Sequence, residues 1–399
     1  HIDLPSDVMN KQVPEEAFRQ AFQMPPPLED LSSIPDAIKM LKNAERPLLL
    51  VGGGVQWANA CPEVLRLAEM LMAPVTTTIM AKGTIPEDHP LSLGIIGMHG
   101  RESARQAFIE ADVILAVGTR FSDRSASGQS ELPMSTKIIQ IDIDPGEAGK
   151  SARTQVRLVG DAKKALTQII NGLAAQRGES AWTQRIKAIR DNCQCVIDFD
   201  TSPVLPQTII ARLNKLLPKD SIMTTEVGQN QMWAAHFFTA RYPRQFITSG
   251  GFGTMGFGFP ASIGAKCACP EKTVVDVAGD GSIQMVFQEF ATAVSEDLPV
   301  IVVVFNNGWL GMVRQWQKLF NERRFSGTEL CHNPDFVKLA QAYGADGVRV
   351  DHASELDDAI NSAVASEVPY IIDVIVDPEE DVLPMIPPGG GSKNIIRGR

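Results

Sequence analysis

Tyrosine, histidine and cysteine are scarce in this chain of 399 residues: three Tyr, six His and six Cys, with aromatics at 6% overall. The cysteines are Cys61, Cys193, Cys195, Cys267, Cys269 and Cys331. Two pairs have C-x-C spacing, but no nearby His or second pair completes a zinc set. They read as reduced thiols, which sets the expectation of a reducing compartment, the cytoplasm. Basic side chains are outnumbered, 37 Lys and Arg against 47 Asp and Glu, for a net charge of -10. That balance argues against nucleic acid, whose phosphates require a basic face. Apolar runs long enough to cross a bilayer are absent, and no secretory signal is expected. There is no initiating Met either: His1-Ile2-Asp3-Leu4-Pro5 reads as a strand ending in a loop, as if cut from the middle of something longer.

What is present is a regular alternation of short apolar runs with helical or loop segments. RPLLLV, APVTTTIM, ADVILAV and TKIIQID are strand-like in the first half, and DSIMTTE, KTVVDVAGD, LPVIVVVFNN and YIIDVIVDP in the second. Continuous apolar strands separated by helices mean parallel sheets covered on both faces. The expected class is α/β, two doubly wound parallel-sheet domains. Residues 1–30 are Pro-rich and read as a linker, 31–175 as a central domain and 176–204 as a polar helical connector. Residues 205–380 read as a second α/β domain, and 381–399 as a Gly/Pro-rich tail that is loose or ordered on binding.

The strongest chemical signal is Gly279-Asp280-Gly281-Ser282 followed, after residues 282–305, by Asn306-Asn307. A buried strand runs into the first group, a helix follows, and a second buried strand ends at the asparagines. A carboxylate and an amide thus stand at the carboxyl ends of neighbouring strands, where ligands of open parallel sheets sit. Mg²⁺ takes six oxygens and is rarely caged by protein alone. Asp280, the Asn307 amide oxygen and the Trp309 backbone carbonyl would supply three, and two diphosphate oxygens and a water the rest. The glycines admit close backbone approach. The N–H groups of Gly281 and Ser282 would point from a helix N-terminus toward negative charge. Gly251-Phe252-Gly253-Thr254-Met255-Gly256 also satisfies G-x-G-x-x-G, a weak dinucleotide pattern. The preceding FITSG reads as a poor strand and no acidic residue is cleanly placed downstream, so this reading is rejected.

The Gly-Asp-Gly…Asn-Asn spacing resembles that of thiamin-diphosphate enzymes. EVGQNQMW, GGFGTMGFGFPASIGAK and NNGWLGMVRQWQ, together with VGGG, PVTTTIMAKG, LSLGIIGMHG, GTRFSDR and IDIDP, resemble acetohydroxyacid synthase (acetolactate synthase) across nearly the whole chain. The resemblance implies condensation of pyruvate with a second 2-keto acid, pyruvate or 2-ketobutyrate, in branched-chain amino acid biosynthesis. Carbon dioxide is lost, and the product is 2-acetolactate or 2-aceto-2-hydroxybutyrate. It implies thiamin diphosphate held by Val227, Gln229, Asn230, Gly253, Met255, Gly281, Ser282, Leu310, Gly311 and Met312. Met255 would force the cofactor into a bent form. The implied metal is Mg²⁺ on Asp280, Asn307 and Trp309. Trp316 would wall the acceptor pocket and Arg124 would hold the acceptor carboxylate, a task suited to a guanidinium fork.

The central block resembles the part of the family that binds FAD. The positions carried over are Gly52, Gly53, Gly54, Thr78, Ile79, Met80, Gly97, Met98, His99, Gly118, Thr119, Arg120, Asp142, Ile143 and Asp161. The chain departs from the family at Ser6, where a Lys is usual, and at Asn230, where a His is common; Asn230 is still expected to donate to the diphosphate. The family's N-terminal pyrimidine-binding domain, with its catalytic Glu, has no counterpart here. The chain is therefore expected to be a fragment or one half of a split enzyme, with the missing domain supplied in cis or in trans. By the same resemblance it forms a homodimer or higher oligomer and can take a small regulatory subunit. The alternatives are a thiamin lyase of the glyoxylate carboligase or oxalyl-CoA decarboxylase type, a non-catalytic subunit, or an NAD-dependent dehydrogenase.

Overall fold

A computed structural model describes residues 3–17, 28–122, 124–125, 132–173, 177–192, 197–387, 389–390 and 394–397. The expected opening strand falls partly on His1 and Ile2, and the Cys193-x-Cys195 pair wholly, outside the described residues. The first sheet comprises β1 (Pro47–Val51), β2 (Val75–Thr77), β3 (Ser92–Ile95), β4 (Val113–Val117), β5 (Lys137–Asp142) and β6 (Thr154–Val159), in the order β3-β2-β1-β4-β5-β6. The second comprises β7 (Ile222–Thr225), β8 (Phe246–Thr248), β9 (Val274–Gly279), β10 (Ile301–Asn306), β11 (Asp346–Val350) and β12 (Tyr370–Ile375), in the order β11-β12-β10-β9-β7-β8. Every pairing in both sheets is parallel.

The apolar runs explain this arrangement. Every residue of PLLLV in β1 is buried, because the strand is covered on both sides. Leu49 and Val51 face the helices Ile34–Lys42, Cys61–Leu71 and Ala162–Gly172. Leu48 and Leu50 face Glu102–Glu110 and Ala181–Asn192. The last helix lies in the stretch read as a connector. It packs on the first sheet through Trp182, Ile186 and Ile189, and Trp182 Nε1 donates to Pro47 O at 3.0 Å. In the second sheet, Ile301, Val303 and Phe305 of β10 meet the helices Pro206–Leu216 and Leu356–Ala365, while Val302 and Val304 meet Gly258–Ala268 and Phe336–Ala342.

The four strands that the apolar pattern does not announce, β3, β6, β8 and β11, are the four sheet edges. An edge strand needs less apolar surface. β6 alternates exposed and buried residues and β11 is mostly half-exposed. FITSG contains β8 after all, so its rejection as a strand is corrected. The tail is also more ordered than expected where it is described: Met385 pairs with Ile396, Ile386 N donates to Met98 O at 2.9 Å and Arg397 reaches Glu102.

A polar seam joins the two blocks. Lys82, fully buried, pairs with Glu87, whose Oε2 also accepts from Ala240 N at 2.9 Å. Arg101 donates to His236 O, and His236 Nε2 bonds His99 O. Arg241 pairs with Asp88 at 2.8 Å. Burial holds the His236 imidazole down to about 3 and His99 to about 4, so both rings are neutral spacers in the seam. Among the described residues no helix is long and apolar enough to cross a membrane.

Candidate active site

In the second sheet the chain leaves β7 outward to β8 and returns to the other side of β7 as β9. The strand order therefore reverses between β7 and β9, the place where doubly wound sheets open a crevice at their carboxyl edge. Val227 to Asn230 follow β7, Gly279 to Ser282 follow β9 and Asn307 to Trp309 follow β10. These segments, with Met255 and Leu310 to Val313, line one open cleft.

Asp280 is 1% exposed. Burial pushes its carboxyl up to about 6, against the pull of N–H donors. Its Oδ2 accepts from Gly308 N at 2.8 Å and Asn333 Nδ2 at 2.7 Å, and Oδ1 from the adjacent Gly281 N at 3.1 Å. Asn307 Oδ1 accepts from Trp309 N at 2.9 Å. Consecutive amides of one turn thus bind the two side chains, which places the carboxylate and the amide on the same turn rather than facing apart. The Trp309 carbonyl accepts no hydrogen bond from any described residue. A buried carboxylate with only N–H partners, beside an amide oxygen and a free carbonyl, suits a hard divalent cation. Among the described residues no three His, Cys, Asp or Glu side chains gather to hold a metal. Such an ion would therefore need ligand oxygens to complete its shell, as a diphosphate provides.

Two expectations are corrected here. The helix after Gly279 is a single turn, Asp280–Ile283. It is too short for a macrodipole, and the Gly281 N–H is already given to Asp280 Oδ1, which leaves the Ser282 N–H of the expected pair to serve an anion. Asn230 does not offer its donor: Nδ2 gives its hydrogens to Glu226 O at 3.2 Å and Val277 O at 2.8 Å, leaving an acceptor oxygen that does not suit phosphate. Gln229 is likewise engaged, donating to Gln315 Oε1 at 2.8 Å while its Oε1 accepts from Asn307 Nδ2 at 3.4 Å. It fixes the Asn307 amide.

Gly253 lies off the cavity lining but adjoins it: a Cβ there would come 4.0 Å from Val227 Cγ1. The segment carrying Gly253 and Met255 is anchored by Glu226, a buried residue that the sequence reading passed over. Its carboxylate accepts from Gly256 N at 2.6 Å and Phe259 N at 3.1 Å. Asp276 is also fully buried; burial raises both carboxyls, and the Glu226 charge raises that of Asp276 further. A carboxylate already occupies the amino end of the helix Gly258–Ala268. That occupancy, rather than a poor strand, is what removes the dinucleotide reading. Trp233, stacked on Phe305 at 6.1 Å between centroids, also lines the cavity unannounced.

Trp316 and Arg124 come from different blocks and meet, the guanidinium 5.9 Å from the indole centroid. Neither lines the cavity itself. Trp316 stands one helical turn beyond Met312, which does.

The flavin candidates gather at the carboxyl edge of the first sheet, where the strand order reverses between β1 and β4. Gly52 and Gly54 press on Gly118: a Cβ on Gly52 would overlap Gly118 O, and one on Gly54 would lie 2.8 Å from its Cα. Thr78, Ile79 and Met80 follow β2, and Gly97, Met98 and His99 follow β3. Thr119 and Arg120 follow β4, with Arg120 exposed. His99 Nδ1 is buried without a partner. Met80 and Ile143 expose apolar surface at this edge. Bare backbone, apolar side chains and an unpaired ring nitrogen suit a large planar ligand. Asp142 Oδ1 accepts from Asp144 N at 3.0 Å, and burial raises its carboxyl. Asp161 sits apart from this group. It follows the edge strand β6 and caps the helix Ala162–Gly172, accepting from Lys164 N at 2.9 Å.

Residues 34–169 match the central domain of thiamine pyrophosphate enzymes, and residues 226–374 the thiamine pyrophosphate enzyme C-terminal TPP binding domain. The chain is 43% identical to a probable acetolactate synthase large subunit of Methanocaldococcus jannaschii, over 100% of this chain and 69% of that protein. It is 38% identical to the acetolactate synthase large subunit of Parasynechococcus marenigrum, over 99% of this chain and 65% of that one. To the acetolactate synthase isozyme 3 large subunit of Escherichia coli it is 38% identical, over 98% and 70%. The chain belongs to the acetolactate synthase large-subunit family of thiamin-diphosphate enzymes.

Proposed function

We propose that the chain forms the cofactor-holding part of a synthase that condenses pyruvate with a second 2-keto acid. Carbon dioxide is released, and the product is 2-acetolactate or 2-aceto-2-hydroxybutyrate. The observation that carries the reading is the convergence of Asp280 and Asn307 on the Gly308–Trp309 amides at the β7/β9 crevice.

Thiamin diphosphate, when bound, supplies the electron sink for decarboxylation. The chain's own residues bind and shape. Asp280, the Asn307 amide oxygen and Trp309 O would hold Mg²⁺, and the Ser282 N–H would meet the diphosphate. Val227, Met255, Leu310 and Met312 would wall the ring end with apolar surface, keeping water away and shaping the site for the ligand. Arg124 binds the carboxylate of the second keto acid, and Trp316 offers apolar contact to its alkyl group. The Gly52–Gly54 and Gly118 edge would hold FAD, in a structural role. Oligomers and a small regulatory subunit are part of the same reading. So is the cytoplasm, with which the free Cys61, Cys267, Cys269 and Cys331 are consistent.

The test is calorimetry of the chain with thiamin diphosphate and Mg²⁺, repeated with D280A. Joint uptake that D280A abolishes is expected. Equal uptake by both chains would sink the reading.

A further inference from the structure

Asp280 has two oxygens and they are treated unequally. Oδ1 meets only the N–H of its own neighbour Gly281, at 3.1 Å. Oδ2 is saturated from two sides, by Gly308 N at 2.8 Å and by Asn333 Nδ2 at 2.7 Å. The Asn333 amide is itself held with no freedom to flip. Its second hydrogen goes to Asn306 Oδ1 at 3.1 Å, and its own Oδ1 accepts from Gln284 Nε2 at 3.1 Å. Gln284 is tied in turn to Asp280 O at 2.9 Å, and Asn306 Nδ2 donates to Asp373 Oδ1 at 2.9 Å. Reversing the amide would point its oxygen at a carboxylate and its nitrogen at a donor, so the network admits one orientation.

Asn333 stands on the stretch between the helices Gly311–Phe320 and Phe336–Ala342. That stretch also straps the ligand-bearing turn by its backbone. Leu330 N donates to Gly308 O at 2.8 Å and Leu310 N to Thr328 O at 2.7 Å. The strap and the side chain therefore act on the same few atoms.

We propose that Asn333 is a positioning residue that acts through Asp280, pinning Oδ2 so that Oδ1 is the oxygen offered to the metal. The inference rests on the metal reading of Asp280 given above. A free carboxylate rotates about its terminal bond and must be ordered when an ion binds, at a cost in affinity. A carboxylate already clamped through one oxygen avoids that cost, and partners of this kind typically carry a factor of roughly 10–100 in metal affinity.

The experiment titrates Mn²⁺, followed by electron paramagnetic resonance, into the chain with thiamin diphosphate present. It compares the unsubstituted chain with N333A and Q284A, and records thermal unfolding of each without metal. N333A should raise the Mn²⁺ Kd roughly 10–100-fold, with the metal-free unfolding midpoint close to that of the unsubstituted chain. Q284A, which leaves the donor but frees the amide to turn, should raise the Kd by a smaller factor. Unchanged Mn²⁺ affinity in both variants overturns the inference and leaves Asp280 as a metal ligand. A fall in the metal-free midpoint that accounts for the loss of affinity also overturns it, because Asn333 would then serve only the fold. No Mn²⁺ uptake by the unsubstituted chain overturns the reading of Asp280, and this inference with it.

Discussion

The two sheets share a doubly wound topology, yet their carboxyl edges carry opposite kinds of chemistry. At the β7/β9 edge, side chains stand at the strand tips: Asp280 after β9 and Asn307 after β10, each held by an amide of the same turn. At the β1/β4 edge the tips are glycines, and Gly52 and Gly54 lie against Gly118 so closely that a methyl group would not fit. Topology makes a crevice in both cases. What the crevice can hold follows from its tips: a carboxylate and an amide suit an ion bridging to phosphate, whereas bare backbone admits a large ligand without any ion.

The sharpest way to break this comparison is to remove the charged tip alone. D280A should lower acetolactate formation by the assembled enzyme roughly 10³–10⁴-fold, because it deletes the anionic metal ligand. Flavin absorbance of the purified chain should persist. Joint loss of flavin and thiamin diphosphate would mean that the edges are not separate sites.

Whether the edges are energetically separate can be tested at the seam. K82M strands the Glu87 carboxylate in a buried position and should destabilise the chain by about 3–5 kcal/mol in urea unfolding. K82M/E87L should recover most of that loss. Burial holds the Lys82 ammonium down to about 8 against an ordinary 10.5. Between those values the unfolded chain retains a proton that the folded chain has released, so Lys82 makes stability rise with pH across that window. K82M should lack this rise. An identical slope in both chains would remove Lys82 as its source.

The glycine edge is probed by G52A. It should weaken flavin uptake by about 1–3 kcal/mol through overpacking against Gly118, while Mn²⁺ affinity in the presence of thiamin diphosphate stays the same. The smallest effect is expected where the blocks touch substrate. W316L should shift the product ratio from mixed pyruvate and 2-ketobutyrate by about 1–2 kcal/mol, the scale of a lost apolar contact. An unchanged ratio would take Trp316 out of acceptor choice.

Much of this arrangement was legible beforehand, and the parts that were not share a cause. Interior strands such as PLLLV and VIVVVF declare themselves because both faces must be apolar. Edge strands β6 and β11 do not, because fewer of their residues meet a core, and β3 and β8, though mostly buried, are only four and three residues long. At the site, Asp280 and Asn307 were readable from spacing, since a βαβ unit sets the distance between neighbouring strand tips. Glu226, Trp233 and Asn333 were not. Their partners lie on other elements, and nothing in their local sequence records which backbone amides they meet. Asn230 shows the converse. Its residue type suggested a donor to phosphate, but the carbonyls of Glu226 and Val277 had already taken its hydrogens.

The sequence by itself determined the fold class, the placement of a carboxylate and an amide at adjacent strand tips, and the glycines where backbone must approach backbone. These are local or periodic properties, written in hydrophobic spacing and in residues whose chemistry has few substitutes. Only the tertiary structure decided which lone pairs and hydrogens remain free. It committed Asn230 and Gln229 to protein partners, clamped one oxygen of Asp280 through Asn333, and brought Arg124 of one block over Trp316 of the other. Hydrogen-bond capacity is finite and is shared out between segments distant in the chain, so it can be counted only once the chain has folded.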